Sequence, residues 1–233
     1  MIPAARPRPF DPREIDIRLA NAAARRSCLQ IHDGYTTSRM WQPLIRAVDD
    51  PGGALALSGP GGEDTPFSVT FQPLRLPRAL HEPGLAGVRS PAQRVAAWAA
   101  ADCMLVAGPP RPAPAPAEPD EEPEEPDDPE IWGYVALNGA PGAGLAWIGE
   151  LVVAPTQRRR GLGHMLVEAA RAWAGAPVDQ GGGGGLGALL IELAPRNYPG
   201  IAFCRHEGFG FAGYTDYTKA GGDLRLFFLR ATL

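Results

Sequence analysis

Apolar and polar positions alternate along the chain in short runs, separated by breaks rich in Gly and Pro. Ile15 to Leu19 (Ile-Asp-Ile-Arg-Leu) has period two, which predicts a half-buried strand. A helix is expected over about Ala20 to His32, stopped by Asp33 and Gly34. Phe67 to Leu76 reads as extended, and Pro73 and Pro77 push it to a sheet edge or outside the sheet. Ser90, Pro91 and Gln93 supply a cap, a first-turn proline and a capping box for a helix running to Ala101. Cys103 to Ala107, Ile131 to Leu137 and Leu145 to Val153 are apolar and rich in β-formers. A turn, Asn138-Gly139-Ala140-Pro141-Gly142, separates the last two. Gly161 to Ala174 carries the strongest helical period. Leu162, Met165, Leu166, Ala169, Ala170 and Trp173 fall on one face, and Gly175 and Pro177 end the run. Strand Leu189 to Ala194, helix Tyr198 to Glu207, strand Phe211 to Thr218 and strand Leu224 to Arg230 follow. Strand–helix–strand–helix order implies a parallel pair inside the sheet. The fold class is therefore α/β (α+β): a mixed, twisted sheet of about six or seven strands with flanking helices.

The breaks account for an unusual composition, 29 Gly and 26 Pro in 233 residues. They fall at 49–66, at 108–130 and at 178–187, where five glycines (181–185) read as a flexible connection. The 108–130 segment is acidic and Pro-rich. It cannot bury apolar area and is expected to stay disordered and solvated. The strands on either side of it look like two arms of one hairpin. That favours a single domain over 1–233 with three loop insertions. Alternatively, the acidic segment is an arm for a basic partner.

Charge changes meaning once that segment is set aside. The net charge is −4, but nine of the 26 acids lie between Glu118 and Glu130, which leaves 17 against 22 basic residues. The remainder is mildly basic, which fits an anionic small ligand better than a nucleic-acid duplex. No apolar run approaches the ~18 residues of a membrane span. Met1 to Arg13 has no apolar core of a secretory signal. Cys28, Cys103 and Cys204 are odd in number and far apart, as expected of reduced thiols in a cytoplasmic protein. The four histidines form no ligand-like spacing with them, so no metal site is expected.

The densest chemistry is Glu150-Leu-Val-Val-Ala-Pro-Thr-Gln-Arg-Arg-Arg-Gly-Leu-Gly-His-Met-Leu166. A buried strand runs into a loop that opens a helix. A helix start leaves free N–H donors and the positive end of the dipole. Gly161 and Gly163 allow close backbone approach, and Arg158, Arg159 and Arg160 add positive charge. Together they suit a phosphate or pyrophosphate. His164 and Met165 stand where a P-loop needs Lys and Ser/Thr. Leu166 replaces the third glycine of a dinucleotide fingerprint.

The sequence resembles the GCN5-related N-acetyltransferase (GNAT) superfamily. Arg158-Arg159-Arg160-Gly161-Leu162-Gly163 matches the family's Arg/Gln-x-x-Gly-x-Gly/Ala motif, with Val153 and Pro155 before it. A second stretch matches in order: Leu190 to Asn197, then Ala202-Phe203-Cys204, then Glu207-Gly208-Phe209. Among family members the match is nearest to those that acetylate ribosomal proteins or N-terminal amines. The resemblance covers about Cys103 to Leu233.

The resemblance implies the GNAT fold, with the strand ending at Val153 splayed from its parallel neighbour 189–194 and acetyl-CoA as co-substrate in the gap. Backbone at Leu151, Val152 and Val153 would pair with the pantetheine arm, and a backbone N–H near Val152 would polarise the thioester carbonyl. Amides of Arg159, Arg160, Gly161, Leu162, Gly163 and His164, with the Arg158 charge, would hold the pyrophosphate. Asn197 and Phe203 would complete the cofactor site. The acceptor is an amine, of a small molecule or a protein, and it must be neutral to attack. Glu192 is the expected base, with Glu150 as rival. Cys204 stands where many members carry a Tyr that protonates the departing thiolate. Tyr198, six residues earlier, is a second candidate acid. A thiol, with an ordinary pKa of about 8.5, could donate that proton, but a buried helix Cys more often serves packing, and this departure keeps open an alternative: a catalytically silent acyl-CoA-binding or regulatory domain. Tyr35 to Trp41 and Tyr214 to Asp223 are the expected acceptor-groove segments. Oligomeric state is left open.

Overall fold

The computed structural model describes residues 7–47, 67–84, 89–110, 130–217 and 223–232. The expected insertion at 49–66, and all but the ends of that at 108–130, lie outside the described residues.

Nine strands and four helices make up the described chain. The strands are β1 (Asp16–Leu19), β2 (Tyr35–Ala47), β3 (Phe67–Glu82), β4 (Cys103–Gly108), β5 (Gly133–Ala140), β6 (Leu145–Val153), β7 (Ala188–Leu193), β8 (Gly210–Asp216) and β9 (Leu224–Ala231). The helices are α1 (Ala22–Cys28), α2 (Pro91–Ala99), α3 (Leu162–Gly175) and α4 (Tyr198–His206). Seven strands form one mixed sheet in the order β1-β4-β5-β6-β7-β9-β8, and β2 and β3 form a separate antiparallel pair. β4 and β5 pair antiparallel, so the acidic segment does connect two arms of one hairpin.

Local chemistry explains most element ends. At α2 the Ser90 side chain accepts from the Gln93 N–H and the Gln93 side chain returns the bond to the Ser90 N–H, the reciprocal cap that the sequence predicts. α1 is shorter than expected. Asn21 caps its start by accepting from the Ala24 N–H, and the helix ends at Cys28. β3 keeps its prolines because it lies outside the main sheet, where Pro73 faces Trp41.

The five-glycine run corrects an expectation. It is not a loose tether but a return folded onto the end of α3. Gly183 N–H donates to Trp173 O at 2.7 Å, Gly184 N–H to Ala176 O at 2.9 Å, and Leu186 N–H to Ala174 O at 2.8 Å. A Cβ on Gly182 would meet the Ala176 carbonyl oxygen at 2.3 Å, so the close approach requires glycine.

The sheet separates two apolar layers. One holds α3 and α4 against the sheet through Leu162, Leu166, Val167, Ala170, Ala174, Ile201 and Cys204. The other holds α1 and α2 through Ala24, Cys28, Ile31 and Trp98, over Met104, Val106, Tyr134, Ala136 and Val152. On α3 the buried face differs slightly from the expected one. Val167 and Ala174 are fully buried, whereas Met165 and Trp173 only pack against the rim of the layer.

Candidate functional site

The site begins with an interruption in β6. Leu145 to Ile148 pair in parallel with Ala188 to Ile191, and the pairing stops there. Between Ala136 and Leu137 of β5 the register with β6 slips, so Gly149 is an extra residue. The bulge reverses which face each side chain takes. Ala146 and Ile148 point into the α3/α4 layer before it. After it, Leu151 and Val153 pack there, while Glu150 and Val152 turn to the α1/α2 side. Beyond the bulge β6 pairs only with β5, and Glu192 and Leu193 of β7 pair only with β9. Two strands therefore diverge, each with an inner edge of backbone groups open to a ligand. A Gly inside a run of strand-formers was the sequence signal for this bulge.

At the end of β6 the loop delivers a second set of free donors. Among the described residues, no backbone acceptor is found for the N–H groups of residues 159–164. Arg159 (φ 63) and Gly161 (φ 92) both take left-handed backbone, which folds these amides into a concave turn at the start of α3. A Cβ on Gly161 would meet nothing within 4 Å, so its need for glycine is conformational. At Gly163 a Cβ would come within 3.0 Å of the Phe203 ring. That glycine lets α3 and α4 approach, and Phe203 serves helix packing there.

The arginines divide their tasks. Arg158 is turned away from the turn. Its Nε donates to Val153 O at 2.9 Å and its Nη1 to Gly34 O at 2.9 Å. Burial lowers its pKa from the usual guanidinium value. Arg160 donates to Arg8 O and Gln157 Oε1 and stacks over Phe10 at 3.6 Å, tying down the N-terminal segment. Arg159 is exposed beside the free amides. His164 is bonded to the buried Glu207 at 2.7 Å, a contact that its sequence position did not signal.

Glu150 and Glu192 lie on strands that diverge, in different surroundings. The Glu150 side chain is 3% exposed. It accepts from Trp98 Nε1 at 2.8 Å, from Tyr134 Oη at 2.9 Å and from Arg89 Nη1 at 3.2 Å. Arg94 in turn donates to Tyr134 Oη at 3.0 Å. Burial foremost, then the Glu150 charge, raises the Tyr134 phenol above its ordinary range and keeps it a donor. Both Glu150 oxygens are engaged, so this carboxylate braces the bulge. Glu192 is 30% exposed and, among the described residues, has one partner, Arg225 Nε at 3.4 Å. Ile191 and Leu193 point into the α3/α4 layer, which turns Glu192 to the opposite face.

Asn197 caps α4, its Oδ1 accepting from Gly200 N–H at 2.9 Å, and its amide nitrogen has no partner among the described residues. Cys204 is buried in the α3/α4 layer, and burial pushes its thiol up to about 12. That placement fits packing rather than proton delivery. Tyr198 stands at the first turn of α4, accepting from Arg39 Nη1 at 3.3 Å and stacked on Trp41. Of the expected acceptor segments, Trp41 and Tyr214 pack on the α3/α4 side, away from Glu192, and residues 218–222 lie outside the described residues.

A family model, the GNAT acetyltransferase family, matches residues 110–211, the stretch that contains β5, the bulged β6, the amide turn, β7 and α4. That stretch of the chain is similar to the GNAT acetyltransferase family. Solved structures agree with it in fold. Nourseothricin acetyltransferase is 17% identical, with TM-score 0.61 over 94% of this chain and 99% of that one. A Bacillus anthracis protein described as a streptothricin acetyltransferase, solved in complex with acetyl coenzyme A, is 12% identical, with TM-score 0.58 over 93% and 99%. At such identities the likeness establishes the GNAT fold. No curated protein matches the chain by sequence.

Two outcomes test this geometry. Replacing Glu150 by Ala strands three donors and lowers unfolding free energy by about 3–5 kcal/mol, read from urea denaturation. The buried thiols make the protein alkali-sensitive. Cys28 and Cys204 are pushed up to about 12 and Cys103 to about 11, all chiefly by burial. Unfolded thiols ionise near about 8.5. The folded state therefore holds more protons above that pH. Its stability is intact below about 8.5 and falls as pH rises toward 11–12. Denaturation midpoints between pH 8 and 10.5 should decline, and Cys204→Ala should flatten the slope.

Proposed function

We propose that the protein moves an acetyl group from acetyl-CoA to a primary amine by direct attack, without a covalent enzyme intermediate. One observation carries the reading: the open inner edge of β6 runs straight into the unpaired amides of 159–164. Acetyl-CoA, when bound, supplies the activated thioester. The open backbone edge at Leu151 to Val153 offers strand-like hydrogen bonds to an amide-bearing arm, and a backbone N–H near Val152 offers an oxyanion donor. The turn at 159–164 and the α3 N-terminus offer concentrated donors to a pyrophosphate, with exposed Arg159 adding charge. In this reading the amide nitrogen of Asn197 donates as well.

Glu192 takes the acceptor's proton in this reading, directly or through one water. Its partial exposure, and a single ion pair among the described residues, leave a carboxylate oxygen for that task, which the saturated Glu150 lacks. Solvent returns the proton to the departing thiolate, since Cys204 is buried. That same burial supports a second reading, an acyl-CoA-binding domain without turnover.

Calorimetric titration separates them. Wild-type protein should bind acetyl-CoA and CoA but not NAD, and turn over a primary amine; binding without turnover across a broad amine panel supports the silent domain. Gly161→Asp should weaken acetyl-CoA binding at least tenfold in protein that stays folded. Unchanged affinity would remove the pyrophosphate assignment. Glu192→Gln should lower kcat by about 10²–10⁴-fold with little change in acetyl-CoA affinity. Wild-type turnover in that variant would assign the base to water.

A further inference from the structure

Among the described residues, none of those packed in the α1/α2 layer comes from β7 or β9. On that part of the face stand the side chains that alternate away from the α3/α4 layer. Trp147 lies between Ala146 and Ile148, Glu192 between Ile191 and Leu193, and Phe227 between Leu226 and Phe228, and all six neighbours pack in the other layer. The register gathers them: Trp147 faces Leu190, two residues before Glu192, and Glu192 faces Phe227 directly. The Trp147 and Phe227 rings meet across β7 edge to face, centroids 5.9 Å apart at 84°. Such a pair occupies only one ring face of the two residues. Trp147 is also one residue from Ile148, where the strands part.

We propose that Trp147 and Phe227 are specificity residues that seat the acceptor as an aliphatic primary ammonium ion beside Glu192. This rests on the acetyl-transfer reading given above and names its substrate class. Aromatic faces attract a cation through their quadrupole, and the carboxylate adds direct attraction and hydrogen bonding. Among the described residues, Glu82 and Asp223 pair with Arg196, and Glu192 pairs with Arg225. The ammonium ion arrives charged. Glu192 then accepts one N–H proton, becoming a carboxylic acid and leaving the neutral amine beside the strand divergence. An aryl amine, uncharged near neutral pH, gains none of this attraction.

The test uses butylamine as probe and butanol as its uncharged counterpart, on full-length protein at pH 7. Five tryptophans give indole N–H signals, and the one missing in Trp147→Phe identifies Trp147. Butylamine, and not butanol, should shift that signal in a saturable way. Trp147→Leu and Phe227→Leu should each raise the midpoint about tenfold, while Trp147→Phe keeps it within about threefold. In turnover the same two Leu variants should raise KM for butylamine about tenfold, with kcat and acetyl-CoA affinity within about twofold. A midpoint unchanged in both Leu variants, or a shift caused equally by butanol, would overturn the seat. Wild-type protein that binds butylamine this way but fails to bind acetyl-CoA would overturn the acetyl-transfer reading and leave the seat standing.

Discussion

A strand that loses its neighbour leaves a row of backbone donors and acceptors without partners, and inside a folded protein such a row is costly unless something replaces the strand. That situation arises at Gly149. One extra residue shifts β6 relative to β5, and the hydrogen bonds to β7 end at Ile148. The same residue reverses the facing of everything after it. Leu151 and Val153 then pack toward α3, while Glu150 and Val152 anchor the opposite side. The cleft, its direction and the phase of its walls all depend on this one slip.

A divergence of this kind needs bracing, and much of the polar network provides it. Glu150 is locked beneath α2 by Trp98, Tyr134 and Arg89. The separate β2–β3 pair reaches across the open end: Arg158 joins Gly34 to the end of β6, and Trp41 N–H donates to Pro195 O just after β7. Arg196 adds contacts to Glu82 and Asp223. Two of the three consecutive arginines thus hold the loop in place, so that its amides rather than its guanidinium groups form the concave donor surface. Fixed backbone dipoles need no reorganisation when an anion arrives, which is why a rigid loop serves better than mobile charge.

The two glutamates show how surroundings assign roles to identical side chains. Glu150 has three donors and almost no solvent, so its oxygens are committed. Glu192 has one partner among the described residues and partial exposure, and aromatic rings flank it on a face that no described helix covers. Strand alternation places both on the same side of the sheet only because the bulge moved Glu150 there.

The sequence by itself determined most of the elements, since these rest on local chemistry, although it did not signal β2. The period-two run at Ile15 to Leu19 and the later apolar and β-rich runs became the seven strands of the main sheet, and the Ser90-Pro91-Gln93 start became α2. The Arg-Arg-Arg-Gly-Leu-Gly stretch became a helix start with free donors. Prolines kept β3 out of the main sheet, as their missing N–H groups require. Tertiary structure decided what each polar side chain meets. Which arginine points inward, which glutamate is saturated, whether Asn197 caps a helix, and whether five glycines dangle or fold back all depend on partners distant in sequence. Those contacts follow from register and from which layer a side chain enters, and a single inserted residue in one strand is enough to exchange the two layers.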